Sequence, residues 1–231
     1  MKKNLAELEN KLGIKFRNPV LLQQALIHRS FLNENSQLHL NHNERLEFLG
    51  DAVLELVVTE FLYGRYESPE GELTNWRAAL VKRSMLAEVA KELAIGEYLY
   101  LSKGEEKTGG RFKELILANA LEAIIGAIYL DQGLKTVRWF IQKTLLSRLK
   151  EVVEKGLYID AKSKLQELTQ ERWGVVPVYK TIAEYGPDHN KSFVVGVYLK
   201  NKLLGQGTGS SKQTAEQAAA SAALDELKKQ E

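Results

Sequence analysis

Two stretches of this 231-residue chain hold carboxylates where carboxylates are costly. In NERLEFLGDAVLEL, residues 43–56, the apolar residues Leu46, Leu49, Val53 and Leu56 recur at helical spacing. At about 100° per residue, Glu44, Glu47 and Asp51 then fall within roughly 60° of one another on one face. Phe48, Ala52, Leu54, Val57 and Val58 make the remainder nearly apolar, so three like charges ride on a helix expected to be mostly packed. Crowded carboxylates either rise in pKa or require a cation, and a hard divalent ion held by oxygen ligands is the usual answer. The competing reading is the solvated face of an amphipathic helix. In LANALEAIIGAIYL, residues 117–130, Glu122 is the one ionisable side chain between Glu114 and Asp131 that is charged at neutral pH. Asn119 lies three positions earlier, so both oxygen-bearing groups leave the helix on one side. A buried, unpaired Glu is expensive unless it keeps its proton, whereas an ion shared with Glu47 and Asp51 removes the cost; the competing reading is a single solvated glutamate. No Glu-x-x-His occurs, which excludes a ferritin-like di-iron bundle. The remaining common use of an oxygen-only site is magnesium-assisted phosphoryl chemistry, and it points to a phosphodiester.

Helices must position these groups. Apolar residues recur at helical spacing over residues 21–32, 45–63, 76–93, 114–130 and 135–153, which predicts an all-helical N-terminal domain over residues 1–156. From 157 to 231 the pattern changes to a helix (161–172), three alternating runs (178–184, 192–200 and 203–207) and an alanine-rich helix from about 212 to 229. That order is a small α+β domain, α-β-β-β-α, and the polar segment EKGLYIDAKS between the two reads as a linker. Residues 158–231 carry 10 Lys+Arg against 9 Asp+Glu and the rest 22 against 21, so neither part is a basic tail. With no cysteine and four scattered histidines, a disulfide scaffold, a thiolate metal site and a zinc finger are excluded. No apolar run approaches the roughly 20 residues of a membrane span, and MKKNLAELENKLG has no signal-peptide core, so a cytoplasmic protein without a membrane partner is expected.

The glycine-rich segment GQGTGSSKQTAEQAAA, residues 205–220, fits neither phosphate-loop template. Ser211 precedes Lys212 where Walker A requires Gly, and Ser210 stands where the dinucleotide fingerprint wants its last glycine. It reads instead as a loop delivering Ser211, Lys212 and Gln213 to a helix start, where free N–H groups suit a phosphate. The alanines that follow let that helix lie close on a sheet.

NERLEFLGDA at 43–52, EGELT at 70–74 and ILANALEAIIGAIYLDQG at 116–133 resemble the catalytic domain of bacterial ribonuclease III. DAKSKLQEL, GPDH and GTGSSKQTAEQAAA, within residues 160–227, resemble its double-stranded-RNA-binding domain. The resemblance implies an endonuclease that cuts duplex RNA with Mg2+, Mn2+ being a possible substitute, as a homodimer joined through the N-terminal domain. It implies Asp51 and Glu122 as the catalytic pair, Glu47, Asn119 and Glu122 as metal ligands, and Glu44 and Glu70 as supporting acids. Phe48 matches an aromatic that plugs a pocket on the partner subunit. RNA contacts are implied for Lys164, Gln166 and Glu167 of the first helix of the second domain, Pro187 and His189 of the GPDH loop, and Ser211, Lys212 and Gln213. Such domains read the shape and backbone of A-form RNA, so sequence specificity is expected to be weak.

Three positions depart from the family. Asn119 stands where aspartate is usual; its amide oxygen can still serve as a ligand, but one charge and one potential base are gone. Gln213 and Glu216 stand where basic residues are common, which predicts a shallower salt dependence. Two other functional readings follow: a duplex-RNA-binding protein whose catalysis is weakened or lost through Asn119, and a phosphohydrolase of small nucleotides, which the second domain disfavours.

Overall fold

The computed structural model describes residues 3–154, 161–187 and 191–229, and these form two compact units. The expected border between residues 156 and 157 lies outside the described residues.

The first unit is helical: α1 (Leu5–Leu12), α2 (Pro19–Ala25), α3 (Arg29–Glu34), α4 (Glu44–Arg65), α5 (Glu70–Val81), α6 (Arg83–Glu92), α7 (Lys103–Lys107), α8 (Glu114–Thr144) and α9 (Leu149–Glu154). Its centre is the crossing of α4 and α8. A Cβ on Gly50 of α4 would stand 1.8 Å from the carbonyl oxygen of Glu122, and one on Gly126 of α8 would stand 2.3 Å from that of Leu46. No residue larger than glycine lets the two backbones touch this way. Leu54, Val57, Val58, Ala120, Ile124 and Ala127 seal the contact with almost no exposure.

The boundaries show what periodicity misses. The expected helix at 21–32 is broken, because the chain between α2 and α3 extends to pair Ile27 with Tyr100, with His28 N–H donating to the Tyr100 carbonyl and Tyr100 N–H to that of Leu26. The expected helix at 76–93 is two helices. Lys82 is extended (φ −60°, ψ 145°), and its carbonyl accepts from Met85 and Leu86 to start α6, which packs on α8. No Gly, Pro or Asn at 82 announces that break. The break between 114–130 and 135–153 was legible: Gly133 takes φ 78°, favoured by glycine, and divides α8. The second of these segments also ends early, at Thr144, before a short 3-10 turn and α9.

In the second unit, α10 (Ala161–Trp173) and α11 (Lys212–Lys229) pair, and β1 (Val178–Tyr185), β2 (Ser192–Leu199) and β3 (Lys202–Gly209) form an antiparallel sheet in the order β1-β2-β3. The expected α-β-β-β-α order is present. The glycine-rich segment, however, is strand up to Gly209, with loop only after it. Gly205, Gly207 and Gly209 alternate along β3 and face α11, where added Cβ atoms would come within 2.2–2.6 Å of that helix's backbone. Ala215, Ala219, Ala220 and Ala223 meet them fully buried.

Candidate active site

Because α4 and α8 touch at Gly50 and Gly126, the acidic face of one helix lies beside the Asn119–Glu122 pair of the other. Glu44, Glu47, Phe48 and Asp51 from α4 and Asn119 and Glu122 from α8 line one cavity of about 440 Å³. Glu44 and Asp51 stay exposed, Glu47 and Glu122 are half-buried, and the solvated-face reading therefore holds for part of the stripe only.

Burial makes two of these acids abnormal. Glu122 is pushed up to about 7 by desolvation first, then by the charges of Asp51 and Glu47, with Arg83 opposing. Glu47 is raised by desolvation and by Glu44 and Asp51, and a hydrogen bond from the Asn119 amide pulls it back. Asn119 thus does something an ionised aspartate cannot: its N–H donates to a neighbouring carboxylate.

The donors are all oxygens, and their unrelieved repulsion is what a hard cation would remove, so the residues fit a divalent metal in kind. They do not close on one point: among the described residues, no three His, Cys, Asp or Glu side chains stand close enough together to hold a metal ion. The wall also contains Arg83, from the first turn of α6, which the sequence reading missed. A break at Lys82 is needed to see it, and nothing in the local sequence marks one.

Two expected residues lie elsewhere or behave otherwise. Glu70 does not join the acidic cavity. It begins α5, accepts from the Thr74 hydroxyl, and lines a separate cavity of about 420 Å³ with Thr59, Leu62, Tyr63, Leu73 and Arg77. Phe48 is not part of a packed helix face, being 81% exposed, and Leu56, Tyr63, Phe112 and Leu115 are exposed as well.

In the second unit Lys164, Gln166 and Glu167 stand exposed on α10. Ser211 caps α11 by accepting from Thr214 N–H at 3.1 Å, and Lys212 and Gln213 are exposed in its first turn. Lys212 pairs with Glu184 of β1 at 3.2 Å. Glu216, where a basic residue was expected, pairs with Lys162 and ties α11 to α10. His189 lies outside the described residues; Pro187 is described and precedes that gap.

An acid-lined cleft on a helical unit, followed in the same chain by an α-β-β-β-α unit of the duplex-RNA-binding kind, defines a double-stranded-RNA endoribonuclease. Residues 18–149 match the family described as ribonuclease-III-like, and residues 161–227 match the double-stranded RNA binding motif. Ribonuclease 3 of Pelotomaculum thermopropionicum is 51% identical over 95% of this chain and 92% of its own length. Ribonuclease 3 of Chloroflexus aurantiacus is 46% identical over 97% and 92%. The crystal structure of the nuclease domain of ribonuclease III from Campylobacter jejuni, at 43% identity and a TM-score of 0.57, covers 62% of this chain and 93% of that one. A second structure of that domain, described as flexible in a region involved in dimer formation, aligns with a TM-score of 0.56 at 42% identity, over 61% of this chain and 98% of its own. The chain belongs to the ribonuclease III family, whose members depend on a metal. No helix among the described residues is long and apolar enough to cross a membrane.

Proposed function

We propose that the cavity between α4 and α8 is the catalytic site of a magnesium-dependent, homodimeric enzyme that hydrolyses each strand of duplex RNA to 5′-phosphate and 3′-hydroxyl ends. The observation that carries this is the convergence of Glu47, Asp51, Asn119 and Glu122 on one cavity, with two of the acids raised by burial and by their neighbours' charge. Glu47, Asn119 and Glu122 are the residues that would hold the ion, which when bound polarises the phosphate and supplies an activated water. Asp51 and Glu122, lining the same cavity, are placed to orient an attacking water in line with the phosphate and to receive its proton. Glu44, exposed and paired with Arg29 at 3.1 Å, adds negative potential at the rim. Asn119 holds Glu47 through its amide, so an asparagine where the family usually has aspartate weakens the metal site by one charge without emptying it.

Phe48 supports the dimer: a ring this exposed, among other exposed apolar side chains on α4, suits insertion into a second copy. Glu70, held outside the cavity of its own chain, is not assigned a role there. The second unit, taken to begin at about residue 157, grips RNA through Lys164, Gln166, Glu167, Ser211, Lys212, Gln213 and His189, and the enzyme works on structured RNA precursors, rRNA and mRNA among them, in the cytoplasm. The RNA-binding-only reading rests on Asn119 alone and is not favoured by the comparisons.

The test is cleavage of an end-labelled RNA duplex, beside single-stranded RNA, in magnesium, manganese and chelator, with the Asn119→Asp variant alongside. Metal-dependent cutting of the duplex alone is expected, with the variant needing less metal for half-maximal rate. A duplex that is bound but left intact by the wild-type chain in either metal overturns the proposal.

A further inference from the structure

Resting on that catalytic reading, we propose that Arg83 is a phosphate-contacting residue of the cleft, its guanidinium meeting the non-bridging oxygens of the phosphodiester under attack. The cavity wall formed by Glu44, Glu47, Asp51, Asn119 and Glu122 contains one basic side chain among its described residues, and that is Arg83. Its charge is felt by Glu122, which places the guanidinium on the Glu122 side of the cavity. Arg83 lines the cavity with four acids yet makes no hydrogen bond or ion pair among the described residues, so its donors stay available.

Its position in the helix makes the same point. Arg83 is the first residue of α6, preceded by Lys82, and that turn contains no acid. Cations at a helix N-terminus oppose the macrodipole. With no ion pair to offset this, the arrangement favours a transient anionic partner. RNA phosphate, which must enter this cavity to be cut, has the right charge, and its paired oxygens match the fork of a guanidinium. With an amide at 119 where the family usually has a carboxylate, the cavity repels that phosphate less, and Arg83 can engage it beside the acids.

The experiment compares the wild-type protein, Arg83→Ala, Arg83→Lys and the neighbouring control Lys82→Ala on the same RNA duplex over pH 6–9 in magnesium. Thermal unfolding of each variant is measured in parallel. Arg83→Ala is expected to lower kcat about 10- to 100-fold across the whole pH range with KM changed less, as for loss of one charged transition-state donor. Arg83→Lys should recover part of the rate, and Lys82→Ala should stay near wild type. Added guanidinium ion should raise the rate of Arg83→Ala more than sodium chloride of equal ionic strength does. If the Arg83→Ala rate returns to the wild-type value at high pH, Arg83 serves only to hold Glu122 ionised and the proposal is overturned. Equal kcat for Arg83→Ala and the wild type at all pH overturns it too, as does an Arg83→Lys variant that folds yet recovers none of the lost rate. A wild-type protein that cuts no duplex overturns the catalytic reading itself, whatever Arg83 does.

Discussion

The two units solve the same packing problem and use the solution differently. At the α4–α8 crossing, Gly50 and Gly126 let two helices touch backbone to backbone; on β3, Gly205, Gly207 and Gly209 let α11 settle on the sheet. In the first unit, close approach brings acids on both helices to one cavity and leaves Glu47 and Glu122 half-buried with raised pKa values. In the second it brings together only methyl groups and backbone, and those residues expected to touch RNA that are described stay outside on exposed faces. Close packing is thus a chemical device only where polar groups flank it. Catalysis needs its charges confined, whereas backbone recognition of a duplex needs them wet, spread out and cheap to present.

The comparison breaks first at Glu122. Replacing it by Gln keeps shape and burial but removes the charge, so cleavage of duplex RNA should fall at least about 100-fold while gel-shift affinity stays within about twofold. Loss of both together would mean that the acids of the first unit serve binding as well. Next come the glycines. Gly50→Ala must separate α4 from α8, and destabilisation of about 3 kcal/mol or more, measured by urea unfolding, should accompany loss of cutting. Gly207→Ala should instead weaken RNA binding by disordering the second unit, with the acidic cavity and metal affinity intact.

A smaller effect sharpens the electrostatic side. Glu122 normally titrates near 4.5 and is raised to about 7 in the fold, so the folded state holds its proton more tightly than the unfolded chain does. The resulting stability is fully present below about 4.5 and is lost as pH rises through about 7. In chelator, urea midpoints should correspond to on the order of 1–2 kcal/mol less stability at pH 8 than at pH 5 from this group, after a discount for its partial exposure, and Glu122→Gln should flatten the difference. A pH-independent midpoint in the wild-type chain would show that Glu122 is solvated. The smallest expected effect belongs to the exposed surface: Lys212→Ala should weaken duplex binding by about 1 kcal/mol and lower the salt slope by about 1, leaving kcat at saturating RNA unchanged.

Periodicity and residue type made most of the architecture legible. The helical-then-α-β-β-β-α order, the shared face of Glu44, Glu47 and Asp51, and the Asn119–Glu122 pair depend on local geometry, which a sequence carries directly. Gly209, beyond the expected run at 203–207, was read as loop because glycine has no preference that separates a strand packed against a helix from a turn. The breaks at Ile27 and Lys82 were missed because tertiary contacts impose them: one residue is drawn out to pair with Tyr100, and after the other the chain turns so that α6 meets α8.

What the sequence alone determined is therefore which groups are present and on which face of which element, since side-chain direction follows from backbone periodicity. What only the tertiary structure decided is which faces meet. It joined the acids of α4 to those of α8 through two glycines, kept Glu70 apart, exposed Phe48, and brought Arg83 from a separate helix to the same cavity. Distances between distant segments come from packing the whole chain, and the abnormal acidity of Glu122 exists only once those distances are set.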